Sequence, residues 1–237
     1  MCGRFTLRTP VLAVADLFDL PTNGVERAVL EQARFNIAPT QQIAAVLQST
    51  EHGNRELAWL RWGLVGPRAG DPKSGAPLIN ARAETVATKP AFREAFRARR
   101  CLVPADGFFE WKRHGRARQS YYIRMMDDRP FAFAGLWQRY RHGDATIESC
   151  AIITTEANEL LRGLHDRMPV ILDRQQFDCW LDPAIHDPQA LLPLLTSYPA
   201  ERMTAFAVST AVNSARLDSP RCIEPAAPAP VQGTLFD

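Results

Sequence analysis

Six short stretches of this chain are rich in β-branched and aromatic residues or alternate apolar with polar: 4–7, 57–65, 120–126, 130–137, 149–155 and 204–212. They follow one another without a regular strand–helix–strand rhythm, which argues against a doubly wound parallel sheet. Helical patterns are fewer and lie between the strands, at 10–20, after Thr88-Lys89-Pro90, and at 157–164 and 173–181. This distribution predicts an α+β fold on strongly curved antiparallel sheet with flanking helices. At 237 residues, 46% of them apolar, the chain has the material to bury one large core, and we expect a single domain over 1–218.

The composition narrows the function classes. Lys and Arg number 28 against 26 Asp and Glu, so any nucleic-acid footprint has to be local rather than global. The five cysteines, Cys2, Cys101, Cys150, Cys179 and Cys222, are widely spaced with no C-x-x-C pair, which points to neither a zinc site nor a disulfide framework. No metal or cofactor is called for. The N-terminus carries no signal pattern, and no apolar run approaches the roughly 20 residues needed to span a bilayer. We therefore expect a soluble, monomeric protein of a reducing cytoplasm. From residue 219 the sequence becomes Pro- and Ala-rich, "SPRCIEPAAPAPVQGTLFD", and reads as an extended tether over 219–237.

Several stretches carry candidate chemistry. Cys2 follows the initiator methionine, so removing Met1 would leave an α-amine and a thiol on one residue. With reference pKa values of roughly 8 and 8.5, both nucleophilic forms are accessible near neutrality. Such an aminothiol condenses with an aldehyde to a thiazolidine, or serves acyl transfer with the amine as base for the thiol; the plain alternative is a small buried residue at a strand start. In "PLINARAET" (77–85), Asn80, Arg82 and Glu84 alternate, so an extended chain puts an amide, a guanidinium and a carboxylate on one face. In "CLVPADGFFEWK" (101–112), turn chemistry precedes Glu110 flanked by aromatics, either a solvated edge charge or a partly desolvated acid suited to proton transfer. "LHDRMPVIL" (164–172) sets His165 beside Asp166 and Arg167, which could tune it. In "AFREAFRARRC", Arg93, Arg97 and Arg100 fall at i, i+4 and i+7 of a helical pattern, a stripe that is either solvated or meets phosphates.

Taken in order, "MCGRF", "RFNIAPTQ", "RWGL", "INARAET", "CLVPADGFFEWK" and "HDRMPVIL" resemble the SRAP family, the SOS-response-associated-peptidase-like proteins, from residue 1 to about 212. The resemblance implies a barrel-like core and a positively charged groove for single-stranded DNA. It further implies that mature Cys2 forms a covalent thiazolidine with the ring-opened aldehyde of an abasic site. By motif, Asn80 holds the sugar or the Cys2 amine, Glu110 is the acid–base group and His165 the proton donor to the opening deoxyribose. Arg4 and Arg82 fall on phosphate-contacting positions, and Asn36, Pro39 and Thr154 near the groove or site. Weak strand-cleaving lyase activity and self-removal of Met1 also follow from the resemblance. One departure is the absence of a tryptophan from the loop after the "WGL" strand, "VGPRAGDPKSGAP", where Arg68 or Lys73 could hold phosphate instead. The tail's Gln232, Leu235 and Phe236 match the Q-x-x-L-F peptides that dock into the bacterial sliding clamp. Two other functions share some of these features: an N-terminal-nucleophile glutamine amidotransferase, which also begins Met-Cys-Gly, and a non-catalytic single-stranded-DNA-binding module.

Overall fold

The computed structural model describes residues 2–21, 32–49, 53–66, 77–115, 117–143 and 145–226. Its strands are β1 (Phe5–Leu7), β2 (Arg34–Ile37), β3 (Gln42–Gln48), β4 (Arg55–Trp62), β5 (Asn80–Arg82), β6 (Arg100–Ala105), β7 (Gly107–His114), β8 (Ala117–Met125), β9 (Phe131–His142), β10 (Ala145–Glu156), β11 (Arg167–Pro169), β12 (Ile171–Leu172) and β13 (Met203–Ala207). Short helices lie between them, at Val11–Leu17, Arg93–Ala98, Glu159–Arg162, Phe177–Leu181 and Pro188–Leu191. None of the described helices is long and apolar enough to cross a membrane.

The strands form two sheets. The first is antiparallel throughout, in the order β13-β8-β7-β1-β2. The second runs β11-β10-β4-β3-β6-β9-β12, and the β9–β10 pairing closes five of its strands into a ring. That ring is not a regular barrel, and it is mixed: β10 runs parallel to both β4 and β5. An antiparallel expectation therefore describes the first sheet and misses two pairings of the second. Those two come from the long excursion between β4 and β10, which brings distant segments back side by side.

The chain crosses from the second sheet to the first at Asp106, the one residue between β6 and β7. Its carboxylate is buried and saturated: Oδ1 accepts from Thr6 Oγ1 at 2.5 Å, and Oδ2 accepts from Arg8 N, Thr9 N and Thr9 Oγ1 at 2.6, 2.8 and 2.8 Å. These bonds fix the chain just after β1. Gly107 follows because nothing larger fits, as a Cβ there would lie 2.1 Å from the Tyr122 hydroxyl. Between the sheets, Phe5 meets Trp62 edge-on at 5.2 Å and Phe133 at 5.8 Å, and Phe108 meets Phe133 at 6.0 Å. Each such pair adds about 0.5–1.5 kcal/mol beyond the area it buries.

Two expectations change here. The helix at 93–98 ends before Arg100, which is the first residue of β6 and is buried; its guanidinium donates to the carbonyls of Phe96, Arg97, Trp180 and Asp182. Arg100 thus ties off the helix end and leaves the stripe to Arg93 and Arg97. The tether expected from residue 219 is packed for as far as it is described: Cys222 is buried, Val208 bridges Pro225, and Ala226 N donates to Ala207 O at 2.9 Å. Apolar contacts of Cys222 with the Phe109–Tyr122 cluster hold this segment down. Residues 227–237, including Gln232, Leu235 and Phe236, lie outside the described residues, as do Arg68 and Lys73.

Candidate functional site at the seam of the two sheets

Alternation along β7 sorts its side chains. Phe108 faces the main core, Phe109 packs in the smaller cluster with Tyr122 and Val208, and Glu110 returns to the side of Phe108. Glu110 is only 3% exposed, and that burial pushes its carboxyl above the usual range. Of the two readings of this residue, the desolvated acid is therefore the one the structure supports.

Cys2 is fully buried and joins the main core. Burial drives its thiol far up, and the nearby charge of Glu110 adds to the effect. The second sheet reaches the same place through β5, where Asn80 pairs with Ile152 of β10. Asn80 Nδ2 donates to the Cys2 carbonyl at 2.9 Å, while its Oδ1 is buried without a partner among the described residues. An acceptor left open beside Cys2 suits a donor arriving with a ligand or on a freed amine. Thr154, also buried, donates from Oγ1 to Ala81 O at 3.4 Å beside β5.

His165 stands before β11, partly exposed. Burial and the Arg167 cation lower its pKa, against the opposing pull of Asp166. Two contacts compete for Nδ1: the Arg167 N–H at 3.0 Å, which needs a lone pair, and Asp166 Oδ1 at 2.7 Å, which needs a proton. They are alternatives: the neutral ring accepts the Arg167 N–H at Nδ1, and the protonated ring donates from Nδ1 to Asp166 and holds a transferable proton on Nε2. The charge of Asp166 also raises Glu110. Cys2, Asn80, Glu110 and the 165–167 junction thus form one group, built from both sheets.

Arg4 is anchored on the other side of β1. Its Nη1 donates to Asn36 Oδ1 at 2.9 Å and Val212 O at 2.8 Å, with the guanidinium 6.0 Å from the Trp111 ring. Asn36 is buried, its amide spent on the carbonyls of Val212, Ser214 and Leu217, so it positions Arg4 and the 212–217 loop. Pro39 lies half-buried in the turn after β2, and Arg82 is exposed at the end of β5. Arg93 and Arg97 are exposed on a separate element, the 93–98 helix, held to the core by Phe92, Ala95 and Phe96. Asn80, Arg82 and Glu84 do not share one face: β5 ends at Arg82, and Glu84 folds back onto Arg167.

Arg167 carries more of the site than its sequence context indicated. It binds both Glu84 carboxylate oxygens, at 2.5 and 3.0 Å, and donates to Thr154 O at 2.6 Å. The Arg4 anchor was hidden for another reason: its partners, the Asn36 side chain, the Val212 carbonyl and the Trp111 ring, come from three distant segments, and a backbone carbonyl leaves no mark in sequence.

The protein-family model "SOS response associated peptidase (SRAP)" matches residues 1–215. This chain belongs to the SRAP family. The SRAP chain is 41% identical to the abasic site processing protein YoaM of Bacillus subtilis over 94% of its own length and 98% of the relative's. It is 29% identical to the abasic site processing protein YedK of Escherichia coli, covering 95% of this chain and all of that one. To the abasic site processing protein HMCES of Xenopus tropicalis it is 31% identical, over 81% of this chain and 66% of the longer relative. A crystal structure of a Bacteroides thetaiotaomicron protein matches the SRAP fold at a TM-score of 0.83 and 26% identity, over 95% of this chain.

Proposed function

We propose that this protein captures abasic sites in single-stranded DNA as a covalent adduct of mature Cys2, shielding the lesion. The observation that carries this reading is the arrangement at the seam: Cys2 held by Asn80 through its carbonyl, with the buried acid Glu110 close by. Once Met1 is gone, the Cys2 amine attacks the aldehyde carbon of the ring-opened deoxyribose, and loss of one water leaves an imine. The thiol then adds to the imine carbon and its proton passes to nitrogen, closing a five-membered thiazolidine. Glu110, its pKa raised by burial, takes and returns protons during imine formation and thiol closure, and His165 in its protonated form gives its Nε2 proton to the sugar ring oxygen as the ring opens and the anomeric hydroxyl loses its own to solvent. Arg4 and Arg82 hold flanking phosphates, and Pro39, Asn36 and Thr154 shape the walls, with Arg93 and Arg97 as outlying cationic contacts.

An imine that eliminates before the thiol closes gives weak strand cleavage, and release of the Cys2 amine by self-removal of Met1 belongs to the same reading. The domain extends to about residue 218 or slightly beyond, with a tail whose Gln232, Leu235 and Phe236 engage a sliding clamp. The test of the main reading is to mix the protein with single-stranded DNA bearing one abasic site and run a denaturing gel. Wild type forms a denaturant-resistant adduct and Cys2→Ala none; equal crosslinking by the two removes Cys2 from the reaction.

A further inference from the structure

A second groove lies where β4 and the β9–β10 hairpin part. It encloses about 640 Å³ and is lined by Gln42, Trp59, Arg61, Arg139, Arg141 and Glu148, together with Thr146 and Ile147. Three guanidinium groups face one carboxylate there, in a chain whose net charge is only +2. Arg139 pairs with Glu148, Nε to Oε1 at 2.8 Å, whereas Arg61 and Arg141 are in no ion pair among the described residues. Arg61 is pinned by a 3.2 Å bond to Gly63 O, and Trp59 is half-buried beside it. An indole edged by fixed and free guanidinium groups is a platform for a stacked base and its phosphates.

The place of this groove in the fold ties it to the site. Arg61 pairs with Ser149 of β10, and Asn80 pairs with Ile152 of the same strand, three residues on. At the strand rise this is about 10 Å, a span that a few nucleotides cover. Arg139 and Arg141 pair with Glu148 and Thr146, on the face of β10 that carries Ile152 and Asn80, whereas Arg61, opposite Ser149, enters the groove from the other face at the edge where β4 and β10 part.

We propose that this groove is a second contact for the strand held at Cys2, with Arg61, Arg139 and Arg141 on its phosphates and Trp59 against a base. The proposal rests on the single-stranded-DNA reading above. A nucleic acid fits better than an acidic peptide, because a strand held at Cys2 runs on past the protein and this groove is a cationic surface bordered by β10, the strand that also pairs with Asn80.

The experiment compares wild type with Arg61→Ala/Arg139→Ala/Arg141→Ala and with the single charge reversal Arg141→Glu. Binding of a long undamaged single strand is measured over a range of salt. Adduct formation is measured on a short abasic oligonucleotide that fills only the site. We expect the triple variant to bind the long strand on the order of tenfold more weakly, with a salt slope smaller by roughly 2, about 0.7 for each lost contact. Arg141→Glu, at a residue that is exposed and in no ion pair among the described residues, shifts both in the same direction without disturbing the fold. Adduct formation on the short oligonucleotide stays at the wild-type level. Unchanged long-strand affinity and slope in both variants overturn the groove as a nucleic-acid contact, and capture of a protein partner through the same arginines would not rescue it. Failure of wild type to crosslink the short oligonucleotide counts against the Cys2 reading instead, while the salt slopes still report on the groove.

Discussion

The first sheet and the second contribute differently to the site between them. The first brings Cys2 and Glu110 side by side through backbone pairing, with Phe5 opposite Phe108 and Phe109 N donating to Arg4 O. The second brings Asn80, Thr154 and the 165–167 junction through the β5–β10–β11 pairings. Within each sheet the ladder fixes the geometry; across the seam it rests on side chains, chiefly Asn80 to Cys2 at 2.9 Å and the Phe5–Trp62 contact. Residues inside a sheet should therefore govern stability, and residues at the seam should govern chemistry.

The strongest way to break that division is Asp106→Ala, which strips a buried hub from the link between the sheets. Four donors lose their acceptor, and we expect a loss of at least about 3 kcal/mol in urea unfolding. A loss below 1 kcal/mol, on the order expected of a surface change, would show that the crossing is not held this way.

Seam residues should do the opposite. Glu110→Gln is expected to slow adduct formation by about 10²-fold while leaving the protein folded. Because burial raises the Glu110 pKa above its unfolded value, the folded state binds this proton more tightly, and stability falls as pH rises from the unfolded pKa through the folded one. Wild type should thus lose stability relative to Glu110→Gln between acid and neutral pH. Parallel pH curves for the two would show that the acid is not desolvated. Asn80→Ala frees the Cys2 carbonyl, and we expect adduct formation slower by about tenfold, the equivalent of one hydrogen bond.

Smaller effects sharpen the comparison. Glu84 is half exposed and its pKa is lowered first by its bond to Arg167, so its contribution is present above the unfolded pKa and fades as pH falls through the folded one. Glu84→Gln should cost no more than about 1 kcal/mol at neutral pH and less in acid, read from unfolding curves. Arg93→Ala/Arg97→Ala should leave stability within about 0.5 kcal/mol. Any effect of that pair on single-stranded-DNA binding should appear only as a shallower salt slope.

How much of this was legible in sequence follows the same physical divide. Strands that alternate or are rich in β-branched and aromatic residues were readable, whether or not one face is wet: the stretches at 57–65, 120–126, 130–137 and 149–155 fall on β4, β8, β9 and β10. β3, "QIAAVLQ", was not, because it is buried on both faces and shows no alternation. β6 hid behind Pro104 and the turn residues that follow it, since proline usually argues against a paired strand. The stretch at 204–212 was read too long: the strand stops at Ala207, and Thr210–Asn213 forms the short helix whose Val212 carbonyl takes Arg4. In the site, Cys2, Asn80, Glu110 and His165 stood out by chemical type and motif. The Asp106 hub depends on contacts across 97 or more positions of chain and the Arg4 anchor on contacts across 32 and 208, which periodicity does not carry.

The central claim is that both nucleophiles of mature Cys2 enter one ring with the lesion aldehyde. The measurement is the mass of the N-terminal peptide released by proteolysis of the adduct, before and after borohydride. The account predicts a peptide that begins at Cys2, carries the sugar remnant less one water, and is unchanged in mass by borohydride. A gain of two hydrogens, marking an open imine, or a sugar remnant on any other residue would contradict it.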